Sequence, residues 1–298
     1  MKILLTGKGG QVGFELVRAL APVGNLVAVG LADCDLANGD SVRELVRRVA
    51  PDVIVNPAAH TAVDRAESER DVAFAVNACA PGILGEEAER LKALVVHYST
   101  NYVFNGDKGA PYTEAEQPAP QNVYGISKLA GERALAEASS RHLILRTSWV
   151  LGSHGGNFAK TMLRLAAERE QLSVVADQFG TPTSAALLAD LTAHLIRQYS
   201  RDGANTFPYG VYHVTASGET SWYYYARFVI ATARAHGMVL RAGPDDVLPV
   251  KTGVYPTTAR RPADSRLDTT LFRDTFGLRL PPWQDGVSHV LQQILQNN

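Results

Sequence analysis

The chain has 298 residues, of which 46% are hydrophobic and 20% are charged, a composition typical of a globular protein of about two domains. Its net charge of -1 excludes the strongly basic surface that would attract nucleic acid or an anionic membrane. Two cysteines exclude a disulfide framework, and no apolar stretch approaches the roughly 20 residues of a membrane helix. Since the first residues lead directly into a strand pattern without a signal peptide, we expect a cytoplasmic protein.

A glycine-rich loop follows the first predicted strand, at residues 2–6. Gly7, Gly10 and Gly13 have a G-x-x-G-x-x-G spacing, and apolar residues then repeat at helical spacing over 14–20. Glycines let the backbone approach a pyrophosphate, and the helix directs its N-terminus at it. Alone, such a motif often marks only a loop. Its place between a strand and an amphipathic helix favours a dinucleotide site.

The second predicted strand, at residues 26–29, lacks the acid that usually follows it. An Asp or Glu at this point holds the adenosine ribose hydroxyls and thereby favours NAD. Here Gly30 stands directly after the strand, while Asp33 and Asp35 come later. The sequence therefore leaves the choice between NADH and NADPH open.

Small residues follow the third predicted strand, at residues 52–56. The segment 57–61 would let a cofactor lie close to the backbone, and we interpret His60 within it as a cofactor contact and not as a proton donor. The acids of segment 64–69 are expected to be solvated charges. Asn77 lies on a predicted helix that runs to residue 91, and it either forms a structural hydrogen bond or positions a water or the active-site lysine.

The strongest catalytic signal follows the fourth predicted strand, at residues 93–98. That strand ends in hydroxyl residues, and after a predicted loop at 105–122 comes a helix with Tyr124 and Lys128 four residues apart on one face. A cation beside the phenol would lower its pKa, which suits a general acid that protonates a carbonyl oxygen. Such a pair can be an ordinary exposed one. Its position behind the strand and the glycine loop favours a catalytic site.

The organisation changes after a further strand at 142–146. Later segments predict helices at 158–169 and 186–199, strands at 172–176 and 211–214, and a helix that carries Trp222 and three adjacent tyrosines, which we interpret as packing residues. We therefore predict an α/β fold, with a Rossmann-type doubly wound parallel sheet and a smaller α/β substrate-binding domain. We predict the NAD(P)-binding domain at 1–148 and the substrate-binding domain mainly at 149–298. Segments near 172–214 are candidates for elements that return to the NAD(P)-binding domain.

A basic loop at 255–262 carries Arg260 and Arg261. The two arginines are either solvated or clamp a diphosphate, because a guanidinium binds phosphate oxygens in a bidentate fork.

With Thr100, Tyr124 and Lys128 behind the glycine loop, the chain resembles the extended short-chain dehydrogenase/reductases, and among them the dTDP-4-dehydrorhamnose reductase family. The motifs that carry the narrower resemblance include Asn-Pro-Ala-Ala-His-Thr-Ala-Val-Asp (56–64), Ser-Thr-Asn-Tyr-Val-Phe (99–104) and Arg-Thr-Ser-Trp-Val (146–150). Others are at 7–13, 157–165, 177–183 and 259–262. Together these motifs are specific, and they cover nearly the whole chain.

The resemblance implies reduction of the 4-keto group of dTDP-4-dehydro-6-deoxy-L-mannose to dTDP-L-rhamnose by NADPH or NADH, the last step of dTDP-rhamnose synthesis. It implies that Tyr124 donates the proton, that Lys128 holds the nicotinamide ribose and tunes Tyr124, and that Thr100 hydrogen-bonds the reacting oxygen. The implied cofactor-binding residues, besides Tyr124 and Lys128, are Gly7, Gly10, Gln11, Val12, Gly13, Asp35, Leu36, Ala59, His60, Thr61 and Tyr98. The implied substrate-binding residues are Thr100, Asn101, Trp149, Asn157 and Arg261.

The chain departs from the family pattern at several positions. The family usually has Asp where this chain has Asn101, and often an acid where it has Gly30. Some members dimerise through glutamates around a magnesium ion. Glu15 is present here, but Ala186 occupies another ligand position, so we predict no metal and either a monomer or a homodimer.

Two alternatives come from other interpretations of the same pattern. One is a reductase or epimerase that acts on another 4-keto nucleotide sugar. The other is a non-catalytic, cofactor-binding regulatory subunit, which the intact set of Thr100, Tyr124 and Lys128 disfavours.

Overall fold

The computed structural model describes residues 1–255 and 257–296, so Pro256 of the predicted basic loop lies outside the described residues. The strands are β1 (Lys2–Leu5), β2 (Asn25–Ala28), β3 (Val53–Asn56), β4 (Leu94–Thr100), β5 (His142–Thr147), β6 (Val150–Leu151), β7 (Leu172–Val175), β8 (Phe179–Gly180), β9 (Thr183–Ser184), β10 (Gly210–His213), β11 (Thr220–Ser221) and β12 (Val247–Val250). The α-helices are α1 (Gln11–Leu20), α2 (Gly39–Val49), α3 (Val63–Ala66), α4 (Arg70–Phe74), α5 (Ala80–Leu91), α6 (Val123–Ala138), α7 (Phe158–Glu168), α8 (Ala185–Asp202), α9 (Trp222–Ala235), α10 (Thr270–Phe276) and α11 (Trp283–Gln296). A π-helical turn spans Ala75–Cys79, and 3-10 turns span Asn101–Val103, Pro244–Asp246 and Thr252–Val254.

Six strands form one parallel sheet in the order β10-β5-β4-β3-β1-β2. Every residue of β3 and β4 is buried, because helices cover both faces of the sheet, and this explains their nearly continuous apolar sequences. The chain leaves β1 toward β2 on one side and returns to β3 on the other. This arrangement confirms the predicted doubly wound α/β fold, in which ligands bind at the carboxyl ends of the strands where the order reverses.

Two hydrophobic cores lie on the two faces of this sheet. One joins the sheet to α1, α8 and α10 through residues such as Leu16, Leu195 and Phe272. The other joins it to α2 and α5 through residues such as Leu45 and Leu84. The sheet is therefore the central layer of three.

A third core lies outside the sheet and packs α7, α9 and α11 against the parallel pair β7–β12. Tyr225, Val229 and Trp283 are among its buried residues. Of the segments near 172–214, α8 and β10 pack on the large sheet, whereas β7 belongs to this third core. The division into a cofactor domain at 1–148 and a substrate domain mainly at 149–298 stays a prediction.

Within the part of the chain that the structure describes, no helix is both long enough and apolar enough to span a membrane.

Candidate active site

A cavity of about 1170 Å³ opens at the carboxyl ends of β1, β3 and β4, where the strand order reverses. It is larger than a typical pocket for one small molecule, which suits two ligands side by side. The predicted site residues that line it are Gly7, Gly10, Gln11, Val12, Gly13, Asp35, Leu36, Ala59, His60, Thr61, Tyr98, Thr100, Asn101, Tyr124, Lys128, Trp149 and Asn157. Arg261 is the predicted site residue that is not part of its wall.

The glycine loop forms one end of this cavity, and two of its glycines cannot be replaced without a steric clash. Gly7 has a positive φ of 61°, and a Cβ on Gly13 would lie 1.9 Å from the carbonyl oxygen of Gly7. Gly10 is the N-cap of α1 and offers no side-chain acceptor to the first N–H groups of the helix. These N–H groups are therefore available to a pyrophosphate.

In the segment after β2, which has Gly30 in place of an acid, Asp33 is bonded to Lys8 and to the Gly30 amide. Asp33 accepts hydrogen bonds from the Gly30 amide at 2.9 Å and from the Lys8 ammonium at 2.7 Å. Lys8 is the main cause of the lowered pKa of the Asp33 carboxyl, and the Gly30 amide contributes. Asp33 is thus engaged within the protein, and a cation stands beside the edge of the cavity at Gly30.

A second feature that fits a dinucleotide is the loop at His60. Asn77, on the π-helical turn, accepts a hydrogen bond from the His60 amide at 2.8 Å and donates one to the His60 carbonyl at 3.1 Å. The imidazole Nε2 lies 2.9 Å from Glu69, while Nδ1 is buried and has no hydrogen-bond partner among the described residues. These are the helix-to-loop hydrogen bonds of the structural interpretation, and a positioning role for Asn77 stays a prediction. The unpartnered Nδ1 is suited to a polar ligand group in the cavity.

Lys128 is buried on α6, a helix whose N-cap Asn122 accepts a hydrogen bond from the amide of Gly125 at 2.8 Å. Its side-chain nitrogen Nζ donates to the carbonyl oxygen of Tyr98 at 2.6 Å and lies 3.1 Å from Nε2 of His97. Burial lowers the pKa of Lys128 to about 8, against the opposing influence of Glu132. Contacts with two residues of β4 therefore fix the position of the Lys128 side-chain nitrogen.

Tyr124 differs from the sequence-based expectation in its electrostatics. Burial raises the pKa of its phenol to about 12, and the hydrogen bond with Thr100 opposes this shift. The expectation that Lys128 lowers this pKa is wrong here: burial dominates, and the side-chain nitrogen of Lys128 contacts Tyr98 and His97. The phenol is therefore fully protonated at neutral pH, as an acid must be before it acts.

The cavity also has an aromatic wall that the sequence did not reveal. Trp149 has a positive φ of 44°, and its ring stacks on Trp222 with centroids 3.6 Å apart. Gly180 makes this possible, since a Cβ there would lie 2.5 Å from the Trp149 ring. Phe158 and Tyr225 complete the wall. Trp222 and Tyr225 belong to the run interpreted as packing, and only their tertiary position identifies them.

Asn101 and Asn157 line the cavity, and their side chains also form hydrogen bonds between the segments that surround it. The Asn101 amide donates to the carbonyl oxygen of Ser265 at 3.0 Å, and its oxygen accepts from Thr100 at 3.2 Å. Asn157 caps α7 and donates to Gln11 at 3.0 Å. Both side chains therefore connect sequence-distant segments around the site.

Arg261 pairs with Asp64 at 2.6 Å, and Asp64 also accepts from the Ala259 amide at 3.0 Å. The expectation that the acids of segment 64–69 are merely solvated is wrong, since Glu67 likewise accepts from the Val123 amide and Glu69 from His60. These acids anchor neighbouring loops. The role of Arg261 as a diphosphate ligand stays a prediction.

The residues near Glu15 do not fit a metal ion. Glu15 accepts a hydrogen bond from Arg18 at 3.3 Å, and Arg18 also pairs with Asp190 at 2.9 Å. Ala186 has no ligand atom, and residues 1–255 and 257–296 contain no group of three side chains suited to a metal. We therefore derive no step through a metal.

Comparison with known proteins agrees with this geometry. The model of the RmlD substrate binding domain family matches residues 1–296. dTDP-4-dehydrorhamnose reductase of Escherichia coli (strain K12) is 51% identical over 99% of this chain and 98% of its own length, and that of Burkholderia thailandensis is 45% identical over 99% of both. The crystal structure of the Bacillus anthracis dTDP-4-dehydrorhamnose reductase in complex with NADP has a TM-score of 0.89 and 36% identity, with 98% of this chain and 99% of that chain covered. The chain therefore belongs to the dTDP-4-dehydrorhamnose reductase family.

Proposed function

We propose that this protein reduces the 4-keto group of dTDP-4-dehydro-6-deoxy-L-mannose to dTDP-L-rhamnose with NADPH or NADH, in the cytoplasm. The observation that carries the proposal is the meeting of Thr100, Tyr124 and Lys128 in the wall of one cavity with the glycine loop. Family membership supports the same substrate.

The residues present divide the chemistry of a ketone reduction between them. When bound, a nicotinamide cofactor supplies the hydride. The protonated phenol of Tyr124 donates its proton to the oxygen on which negative charge develops, and the Thr100 hydroxyl hydrogen-bonds that oxygen. Lys128 positions the cofactor ribose and places a positive charge near the developing alkoxide, provided that it is an ammonium.

Binding would use several parts of one cavity wall. The glycine loop and the first N–H groups of α1 would hold the pyrophosphate, and the loop at His60 would contact the cofactor further along. The aromatic wall of Trp149 and Trp222 lines the same cavity and offers flat faces that can contact a sugar or a base. With cofactor and substrate bound in this way, the ketone would lie beside Tyr124.

The test is a turnover assay with the dTDP-4-keto sugar generated in situ. Oxidation of NADPH and of NADH is followed in separate reactions, and the product is identified by NMR. We expect dTDP-L-rhamnose. A different epimer at C4 would support the alternative of another 4-keto sugar enzyme.

The regulatory-subunit alternative is tested in the same assay. A purified, folded protein that binds the cofactor but oxidises none of it with this substrate would support that alternative. The geometry favours catalysis, because Thr100, Tyr124 and Lys128 all line the same cavity as the glycine loop.

A further inference from the structure

A buried chain of polar side chains crosses three strands and ends at Lys128. Thr6, after β1, donates to Oδ1 of Asn56 on β3 at 2.6 Å, and the amide nitrogen of Asn56 lies 3.1 Å from Nδ1 of His97 on β4. Nε2 of His97 lies 3.1 Å from the Lys128 nitrogen. Asn56 and His97 are register partners with no exposed surface. The donors and acceptors of the Asn56 and His97 side chains must therefore be satisfied within the protein.

The directions of these hydrogen bonds depend on the charge of Lys128. An amide nitrogen only donates, so Nδ1 of His97 accepts and the neutral ring carries its hydrogen on Nε2. That hydrogen is directed at Lys128. A neutral amine can accept it, but an ammonium has no lone pair and would oppose one donor to another. With the Asn56 amide nitrogen directed at His97, every hydrogen bond from Thr6 to Lys128 therefore has one donor and one acceptor only when Lys128 is neutral.

A half-turn of the Asn56 amide gives the complementary arrangement with the same heavy-atom contacts. Its oxygen then accepts from Nδ1–H of His97, its nitrogen donates to the Thr6 hydroxyl, and Nε2 accepts from the Lys128 ammonium. One solvent proton is bound overall. The ring gains a proton at Nδ1, and its Nε2 proton passes to the amine.

We propose that His97 is a positioning residue for Lys128, whose tautomer changes when Lys128 gains or loses its proton, with Asn56 and Thr6 reversing direction to match. This inference rests on the proposed role of Lys128 in catalysis. It explains why a lysine can be buried beside the reacting atoms and remain paired in both charge states.

The electrostatics of the surroundings agree with this account. Burial, and then the charge of Lys128, hold the pKa of His97 well below its ordinary value, so the ring remains neutral while Lys128 titrates. Glu132, one turn further on α6, favours the ammonium, but it is itself paired with Arg146 of β5. Tyr124 stays neutral over the same range because burial raises its pKa. We therefore assign to Lys128 any titration of this site near pH 8.

The direct test is the tautomer of His97 in the ligand-free protein. With ¹⁵N-labelled histidine, NMR distinguishes Nδ1–H from Nε2–H, and the signal lost in His97→Gln identifies the ring. We expect Nε2–H above about pH 8 and Nδ1–H below it, with the midpoint equal to that of the Lys128 signal in lysine-labelled protein. A tautomer that does not change across the Lys128 titration would overturn the proposal. Since no substrate is involved, the result is independent of the proposed reaction.

Variants test the same coupling from the lysine side. His97→Leu removes the partner of both charge states, and because bonds to charged groups are stronger the Lys128 midpoint should fall by about one pH unit. His97→Gln should restore most of this shift, since its amide can also accept or donate. His213→Leu is the control. His213 is a second buried histidine, on β10, and its Nδ1 lies 3.0 Å from the carbonyl oxygen of Tyr112. An unchanged midpoint in folded His97→Leu contradicts the proposal. If that variant does not fold, the tautomer measurement remains decisive.

Discussion

At the scale of single residues, we expect Lys128 to set the upper pH limit of the reaction. Its pKa is lowered from 10.5 to about 8, while that of Tyr124 is raised to about 12, and burial is the main cause of both shifts. As pH rises, the ammonium is therefore lost long before the phenol ionises. We predict that kcat/KM for ketone reduction falls above about pH 8, reporting Lys128 in the free enzyme. A profile that stays flat to pH 10 would show that the Lys128 charge is not needed.

Asn101 gives a second prediction at this scale. Its amide nitrogen donates to the Ser265 carbonyl, and an aspartate cannot. Asn101→Asp would set a carboxylate against a buried carbonyl oxygen, at a cost of about 1–3 kcal/mol. We therefore expect kcat/KM for the sugar nucleotide to fall roughly tenfold, with little change in cofactor Kd.

Kinetics and equilibrium cofactor titration check the Asn101 prediction, with Asn105→Asp as a control in the neighbouring loop. If the kinetic constants for the sugar nucleotide do not change, position 101 does not affect substrate recognition. Residues of this kind show a limit of sequence reasoning. The type of residue at 101 was evident from the sequence, but its bond to Ser265 depends on contact between positions 164 apart in the chain.

At the scale of elements, the glycine loop and β2 determine cofactor preference together. Gly30 offers no carboxylate to repel a 2'-phosphate, and Lys8 lies beside it. We predict that NADPH is used at least as well as NADH. Gly30→Asp should lower kcat/KM for NADPH about tenfold and leave that for NADH nearly unchanged, because only the phosphate is repelled. A strong NADH preference of the unmodified protein would contradict this and assign the missing role to Asp33 or Asp35.

The aromatic wall makes a separate prediction for the substrate end. Gly180→Ala places a methyl group where the Trp149 ring now lies, so the ring must move. We expect KM for the sugar nucleotide to rise about tenfold while cofactor Kd is unchanged. Gly253→Ala is the matched control, since a Cβ there meets no atom within 4 Å. Equal effects of the two variants would exclude a specific role for Trp149.

The elements also differ in how far the sequence predicts them. The glycine loop and the Tyr124–Lys128 helix are local patterns, in which spacing alone determines which side chains lie together. The aromatic wall is assembled from β8, α7 and α9 around a tryptophan in a left-handed conformation. A local sequence pattern cannot predict that side chains from these three elements lie together. From the sequence, Trp222 and Tyr225 could therefore be interpreted only as packing residues.

At the scale of the whole molecule, the large sheet was predictable because its strands are continuous apolar runs that alternate with amphipathic helices. The smaller core was only partly predictable. Its strands β8 and β11 have two residues each, too few to show a period, and β12 contains Pro249. The cavity is lined by residues next to the large sheet and by residues of the smaller core. The sequence therefore predicted the cofactor-binding residues more completely than the aromatic residues of the substrate site.

Tyr124 is the residue that we propose as the proton donor to the ketone. Tyr124→Phe removes only the hydroxyl, so we expect kcat to fall about 10²–10⁴-fold, since that is what a general acid typically contributes. The most direct measurement is the single-turnover rate of NADPH oxidation with the dTDP-4-keto sugar, together with the NADPH Kd of the same variant. We predict a large loss of this rate with a nearly unchanged NADPH Kd. A rate close to that of the unmodified protein would contradict it.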